Sequence, residues 1–193
     1  MFSIIFSTLF INNIILNKII GTCPFIGVST KRKNALSMGL AVIFVIVCSS
    51  VLSWVLYEYV LVPYELTYLT TIIFILVIAS FVQLVEMVIK RFSPGLYSTL
   101  GIYLPLITTN CAVLQVANDV TLNTQTLGLN GIGDTIVYAF GVSLGFTLAI
   151  FLFSAIREQL NGAPIKRHYK GVPIAFMTAF AMALAFMGFG GMA

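Results

Sequence analysis

Charge is what this sequence has least of. Only 8% of its 193 residues are Asp, Glu, Lys or Arg, where soluble domains carry about 25%. That shortage leaves no room for a separate soluble domain. There is one histidine, His168, in a basic stretch where surface duty is its simplest role. No Ser/His/Asp arrangement and no carboxylate pair at a plausible distance can be assembled. Three cysteines are far too few for the disulfide framework of a secreted scaffold. The glycines from Gly128 to Gly133 follow no strand, so they read as a flexible turn rather than a nucleotide loop. The net charge of +4 falls in short loops between apolar spans, which is an orientation signal and not a nucleic-acid footprint.

What is abundant is hydrocarbon: 60% of the residues are hydrophobic and the mean hydropathy is +1.06. A bilayer core of ~30 Å asks for roughly 20 apolar residues per helix. Six segments meet that demand, at about 2–22, 37–57, 68–89, 97–117, 135–156 and 171–191. The first is not a signal peptide. It lacks a basic start and an A-x-A exit, and Asn12, Asn13, Asn17 and Lys18 interrupt it. The sequence therefore predicts an all-α integral membrane protein with a single transmembrane domain over 1–193.

The loops alternate in sign. Lys31, Arg32 and Lys33 lie in the first, Lys90 and Arg91 in the third, and Arg157, Lys166, Arg167 and Lys170 in the fifth, against one Glu158. The second carries Glu58 and Glu65, and the fourth Asp119 and Asp134. Basic loops stay cytoplasmic, which places both termini outside.

Cys23 and Cys111 stand in matching breaks. Gly21-Thr22-Cys23-Pro24-Phe25 and Thr108-Thr109-Asn110-Cys111-Ala112 each interrupt an apolar segment with small, polar or helix-breaking residues. Pro24 has no N–H to give and Gly21 loosens the backbone before it; Pro105 does the same ahead of Cys111. Thr108, Thr109 and Asn110 can satisfy backbone groups that a break frees. Aligning Cys23 on Cys111 also aligns Val28 with Val116, and Met38-Gly39-Leu40-Ala41-Val42 with Phe140-Gly141-Val142-Ser143-Leu144. Each half, about 1–93 and 94–193, then supplies three spans, and an odd number per half makes the repeat inverted. Helices one and four are the broken ones. A straight first helix would carry Cys23 about 30 Å down, to the cytoplasmic edge. A thiol at mid-membrane therefore needs that span to start high, tilt or fold back.

Thiols buried in a membrane can be plain small hydrophobes, which is the reading for Cys48 in its unbroken helix, or they can be bonded to one another. The broken, repeat-related settings of Cys23 and Cys111 point instead to metal ligation. Two thiolates are half of a tetrahedral iron–sulfur site, and the other half would come from a partner chain.

The runs Gly21-Thr22-Cys23-Pro24-Phe25-Ile26-Gly27-Val28-Ser29 and Leu104-Pro105-Leu106-Ile107-Thr108-Thr109-Asn110-Cys111-Ala112-Val113-Leu114 resemble the A subunits of Rnf complexes. So do Gln83-Leu84-Val85-Glu86-Met87-Val88-Ile89-Lys90, Gly145-Phe146-Thr147-Leu148-Ala149 and Leu184-Ala185-Phe186-Met187-Gly188-Phe189, and the likeness covers essentially the whole chain. The homologous E subunits of sodium-pumping NADH:quinone oxidoreductases tend to carry threonine where this chain has Pro24.

The resemblance implies a translocase subunit of the inner membrane, in a complex that moves electrons between ferredoxin and NAD and couples this to Na+ or H+ translocation. It implies a [2Fe–2S] cluster shared with a sister E-type membrane subunit of opposite topology, with Cys23 and Cys111 as this chain's ligands. It also implies further subunits carrying flavins and iron–sulfur clusters. The competing class is a stand-alone secondary transporter that binds substrate at the broken helices. Two polar features stay open at this level. Glu86 near the end of span three could couple to ion movement or pair with Lys90 one turn on. The Asn12, Asn13, Asn17, Lys18 stripe could serve helix packing or an ion path.

Overall fold

The computed structural model describes residues 13–29, 32–64, 67–92, 106–107, 110–122, 131–162 and 171–190. Among them the α-helices are α1 (Thr22–Val28), α2 (Arg32–Leu56), α3 (Thr70–Phe92), α4 (Cys111–Leu122), α5 (Ile132–Gly162) and α6 (Val172–Gly190). A π turn, Tyr57–Leu61, prolongs α2, and a 3-10 turn, Thr67–Leu69, leads into α3. Three stretches are long and apolar enough to cross a membrane: Asn34–Leu61, Thr70–Val88 and Ile132–Leu160; Cys111–Leu122 and Val172–Gly188 are shorter apolar helices. These agree with the predicted segments 37–57, 68–89, 135–156 and 171–191.

The central element is the antiparallel pair α2 and α5. Met38, Val42, Val45 and Ile46 repeat at helical spacing on α2, and Val142, Phe146, Ala149, Ile150 and Phe153 do so on α5; all are buried. Small residues let the two backbones approach. A side chain at Gly39 would run into the Thr147 methyl, and Thr147 cannot swing away freely because its hydroxyl donates to Ser143 O at 2.9 Å. Some hydroxyls inside these helices donate back to the preceding turn, as Ser143 does to Phe140 O at 2.9 Å and Ser50 to Val47 O at 2.9 Å. Others, Ser49, Ser53 and Ser154, are buried with no hydrogen-bond partner among the described residues.

Around this pair the other helices face outward with apolar surface. On α3, Thr70, Phe74, Ile78 and Val82 are buried, while Ile72, Ile75, Leu76, Leu84 and Met87 are exposed. On α6, Phe176, Met177, Phe180, Leu184 and Met187 are exposed. Helices apolar on every side suit lipid or protein contact. At one end, Arg32 Nε pairs with Glu158 Oε2 at 2.9 Å, with both side chains about half exposed.

The first and fourth segments are broken, as the sequence predicts, but in a particular way. Residues 13–21 hold no more than a single turn: Asn17 N donates to Asn13 O at 2.9 Å and Ile20 N to Ile14 O at 3.2 Å, and left-handed Ile19 (φ 56°) and Gly21 (φ 82°) stop it from continuing. A helix begins only at Thr22. Pro24 therefore sits in the first turn of a new helix, where its missing N–H costs nothing, rather than terminating an old one. In the fourth segment Asn110 is the break and α4 starts at Cys111. Pro105, Thr108 and Thr109 lie outside the described residues, as do Asn12, Lys31, Glu65, His168, Lys166, Arg167 and Lys170.

Two sequence-based placements need correction. The span expected at 97–117 continues as helix to Leu122, so Asp119 is not in an outside loop but buried within α4. A carboxylate is tolerated there because Lys18, Gln115 and Tyr138 all donate to it. Asn17, one turn from Asn13 in the polar stripe, is exposed while Asn13 is buried, so the stripe does not share one interhelical face.

Candidate metal centre

The two breaks meet. Gly21 lies against α4 and α5 so closely that a Cβ there would stand 3.2 Å from Ala112 Cβ, 3.4 Å from Asn110 Oδ1 and 3.0 Å from Phe146 Cε2. Cys23 is two residues beyond Gly21, and Cys111 is the residue between Asn110 and Ala112. Both thiols are free and exposed. Cys48 is half-buried on α2 and belongs to neither break.

α5 serves as a ruler for depth. Phe146, which packs at the meeting point, is fourteen residues from either end of the Ile132–Leu160 span (146 − 132 and 160 − 146). The two cysteine segments therefore converge level with the middle of that span. From there they leave in opposite directions. α4 runs toward Tyr138, whose hydroxyl donates to Asp119 Oδ2 at 3.2 Å. α1 runs the other way, and its last turn reaches Arg157, whose guanidinium donates to Ile26 O at 2.6 Å and Ser29 Oγ at 3.0 Å. Tyr138 and Arg157 are nineteen residues apart on α5, about 28 Å. The first segment thus meets α4 and α5 at mid-span through the irregular stretch 13–21, from which α1 sets out.

Each break is held by an asparagine. Asn110 Oδ1 accepts from Ala112 N at 3.0 Å, capping the start of α4. Asn13 Oδ1 accepts from Ile15 N at 3.2 Å, while its Nδ2 donates to Gly145 O at 2.9 Å across to α5. Of the two roles open for the asparagine stripe, helix packing is therefore the one Asn13 fills. Phe25 stacks on Phe153 with ring centroids 4.2 Å apart, seating α1 on α5.

Sequence reasoning does not single out Arg157 or the pairing of Lys18 with Asp119 at 3.2 Å. Arg157 reads as a loop cation, yet it lies within α5 and closes the carbonyl end of α1. Seven residues make too short a helix to stand alone, so that charged clamp matters. Arg157→Met is expected to cost about 1.5–3 kcal/mol, the range for a hydrogen bond made by a charged group. Thermal unfolding of the purified assembly checks it, with Arg157→Lys recovering part of the loss. Glu86 lies half-buried on α3, one turn before exposed Lys90.

Chemically, two soft thiolate donors on an exposed face suit a thiophilic metal or cluster. Among the described residues no three His, Cys, Asp or Glu side chains gather at one point. A four-coordinate centre here would thus take its remaining ligands from beyond these residues.

Comparison with known proteins covers the chain from end to end. The family model described as "Rnf-Nqr subunit, membrane protein" matches residues 1–193. The chain belongs to the Rnf-Nqr family. Among its Rnf-Nqr relatives is the A subunit of the ion-translocating oxidoreductase complex of Syntrophotalea carbinolica, 51% identical over 98% of this chain and 95% of the relative. Another is the A subunit of the Na(+)-translocating ferredoxin:NAD(+) oxidoreductase complex of Acetobacterium woodii, 51% identical over 98% and 96% of the two chains. The corresponding protein of Actinobacillus pleuropneumoniae serotype 5b is 49% identical over 98% and 95%. As a member of the Rnf-Nqr family this is a multi-pass membrane protein.

Proposed function

We propose that this chain is the A subunit of an ion-translocating ferredoxin:NAD oxidoreductase. In this reading Cys23 and Cys111 supply two of the four cysteine ligands of a [2Fe–2S] cluster shared with a sister membrane subunit. The first part rests on relatives about half identical over nearly full length. The second rests on one observation above others: two free, exposed thiols on segments that touch, level with the middle of a membrane span.

The site fits that group in three respects. Thiolates are its ordinary donors. The thiols face outward, where a second chain can dock a matching pair. Both helices start at or one residue before a thiol, so the positive dipole ends of helix starts lie on the side where negative charge would need offsetting in hydrocarbon. When bound, such a cluster supplies a one-electron relay that splits a ~30 Å crossing into two hops of roughly 15 Å. The chain's own residues do the rest. Gly21 permits the close approach, Asn110 caps α4, and Arg157 anchors the far end of α1.

The opposed courses of α1 and α4 support an inverted repeat of about 1–93 and 94–193 with six spans. The sister chain would be of E type and opposite topology, and further subunits would carry flavins and iron–sulfur clusters. The basic loops would lie at the cytoplasmic face of the inner membrane, with both termini outside.

Co-expression of this chain with its sister tests the reading against a stand-alone transporter. The purified pair is expected to carry about two iron and two acid-labile sulfide atoms, with the visible absorption and reduced-state EPR signal of a [2Fe–2S] centre. A colourless, iron-free pair that still assembles would overturn it.

A further inference from the structure

One ion pair joins the two broken segments away from the thiols. Lys18 Nζ donates to Asp119 Oδ2 at 3.2 Å. The two partners differ in kind. The Asp119 side chain is 4% exposed and the Lys18 side chain 44%. The carboxylate is fixed and enclosed, whereas the ammonium sits at its mouth on a flexible stem.

Asp119 does not depend on Lys18 for its position. Tyr138 OH donates to Oδ2 at 3.2 Å and Gln115 Nε2 donates to Oδ1 at 2.9 Å. If the ammonium moves off, an oriented anion remains in an apolar setting, where bare charge is costly. A replacement cation would restore neutrality one for one. Hard oxygen donors are close in the chain. Asn118 Oδ1 and Thr135 Oγ1, the latter one turn before Tyr138, are buried oxygens with no hydrogen-bond partner among the described residues. Carboxylate, hydroxyl and amide oxygens are the donor set of hard metal cations. A single carboxylate among neutral oxygens matches a monovalent one.

The placement is also apt. Asp119 is eight residues past Cys111 on α4, about 12 Å toward the Tyr138 end. It lies on the opposite side of the thiols from Arg157.

We propose that Asp119 is an alkali-cation site and that Lys18 is its tethered competitor, occupying the carboxylate when the ion is away. Each exchange swaps one positive charge for another, so the buried site stays neutral. The inference rests on the chain's membership of an ion-translocating complex, but not on the cysteines holding a cluster.

The test measures Na+ half-saturation of ferredoxin:NAD oxidoreduction in the assembled complex, and Na+-dependent thermal stabilisation of the same preparation. Lys18→Met removes a competitor held at high effective concentration and is expected to lower the half-saturating Na+ about tenfold or more, with a larger stabilisation by Na+. Adding Asp119→Asn to that variant is expected to abolish the gain. A pair that is only a structural clamp predicts the reverse pattern: both substitutions weaken the assembly alike and neither shifts the Na+ response, and that result overturns the proposal. Should Lys18→Met fail to assemble, Tyr138→Phe keeps the ion pair and the ring. It is expected to raise half-saturating Na+ several-fold, and an unchanged value would sink the idea. Iron content and EPR of each variant, measured alongside, report separately on Cys23 and Cys111.

Discussion

On the proposed ligation, Cys23→Ser and Cys111→Ser are each expected to leave the complex without its [2Fe–2S] cluster. Electron transfer from ferredoxin to NAD should fall about 100-fold or more, beyond the 10–100-fold typical of losing even a supporting residue. Cys48→Ser should leave both intact. The contrast follows from position. Cys48 lies half-buried along an unbroken helix, whereas each of the other two opens a helix beside the contact of Gly21 with Asn110 and Ala112. Serine keeps the size and exposure of the side chain, so packing changes little, but an alcohol is a hard, weakly acidic donor that does not hold iron as thiolate does. The readouts are iron, acid-labile sulfide and EPR of the purified sister pair. Normal iron with Ser at both positions would remove these cysteines from the site.

The two breaks were legible because small, polar or helix-breaking residues inside an apolar run are a strong local signal. Gly21, Cys23 and Pro24 have no place in a straight lipid-facing helix, and Asn110 before Cys111 repeats the pattern. Long spans were legible for the same reason: α2, α3, α5 and α6 are apolar for whole turns at a stretch. What hydropathy could not see is depth. It counts residues along a straight axis, and the left-handed turn at Ile19 and Gly21 changes how far the chain has descended by Cys23. That the thiols lie level with Phe146 follows from packing against α5, which no one-dimensional pattern encodes.

Asp119 shows the second limit. A charge next to Asn118 reads as the end of a span, which puts the hydropathy boundary at 117. In the fold the helix goes on for another turn, because Lys18, Gln115 and Tyr138 arrive from three elements to satisfy the carboxylate. Gln115, four residues before Asp119, is the only one of these partners a helical reading could have paired with it. Arg157 is the mirror case. It reads as a loop cation by composition, and only the proximity of Ile26 O reveals it as the clamp on α1. Long-range polar pairs of this kind span a hundred residues or more, and local propensity carries no trace of them.

Gly21 offers the strongest probe of the meeting point itself, because its substitution touches neither thiol. Gly21→Ala is expected to cost about 2–5 kcal/mol. Roughly 1–2 of that is the left-handed backbone at φ 82°. About 1–3 is overpacking, since the new methyl would stand 3.0 Å from Phe146 Cε2 and 3.2 Å from Ala112 Cβ. Neither neighbour can yield cheaply: Phe146 and Ala112 are both fully buried, and Ala112 N is tied to Asn110 Oδ1. The strain is relieved by moving the first break off α4, which carries Cys23 away from Cys111. Iron content of the sister pair should therefore fall along with its unfolding temperature. Gly27→Ala is the matched control. It lies within α1, which Gly21 precedes; among the described residues its Cβ would meet Leu106 Cδ2 at an ordinary 3.6 Å, and alanine favours the helix by up to about 1 kcal/mol. That variant should keep its iron and match or exceed the parent in stability. If Gly21→Ala also kept both, close contact between the two breaks could not be what holds the thiols at one level.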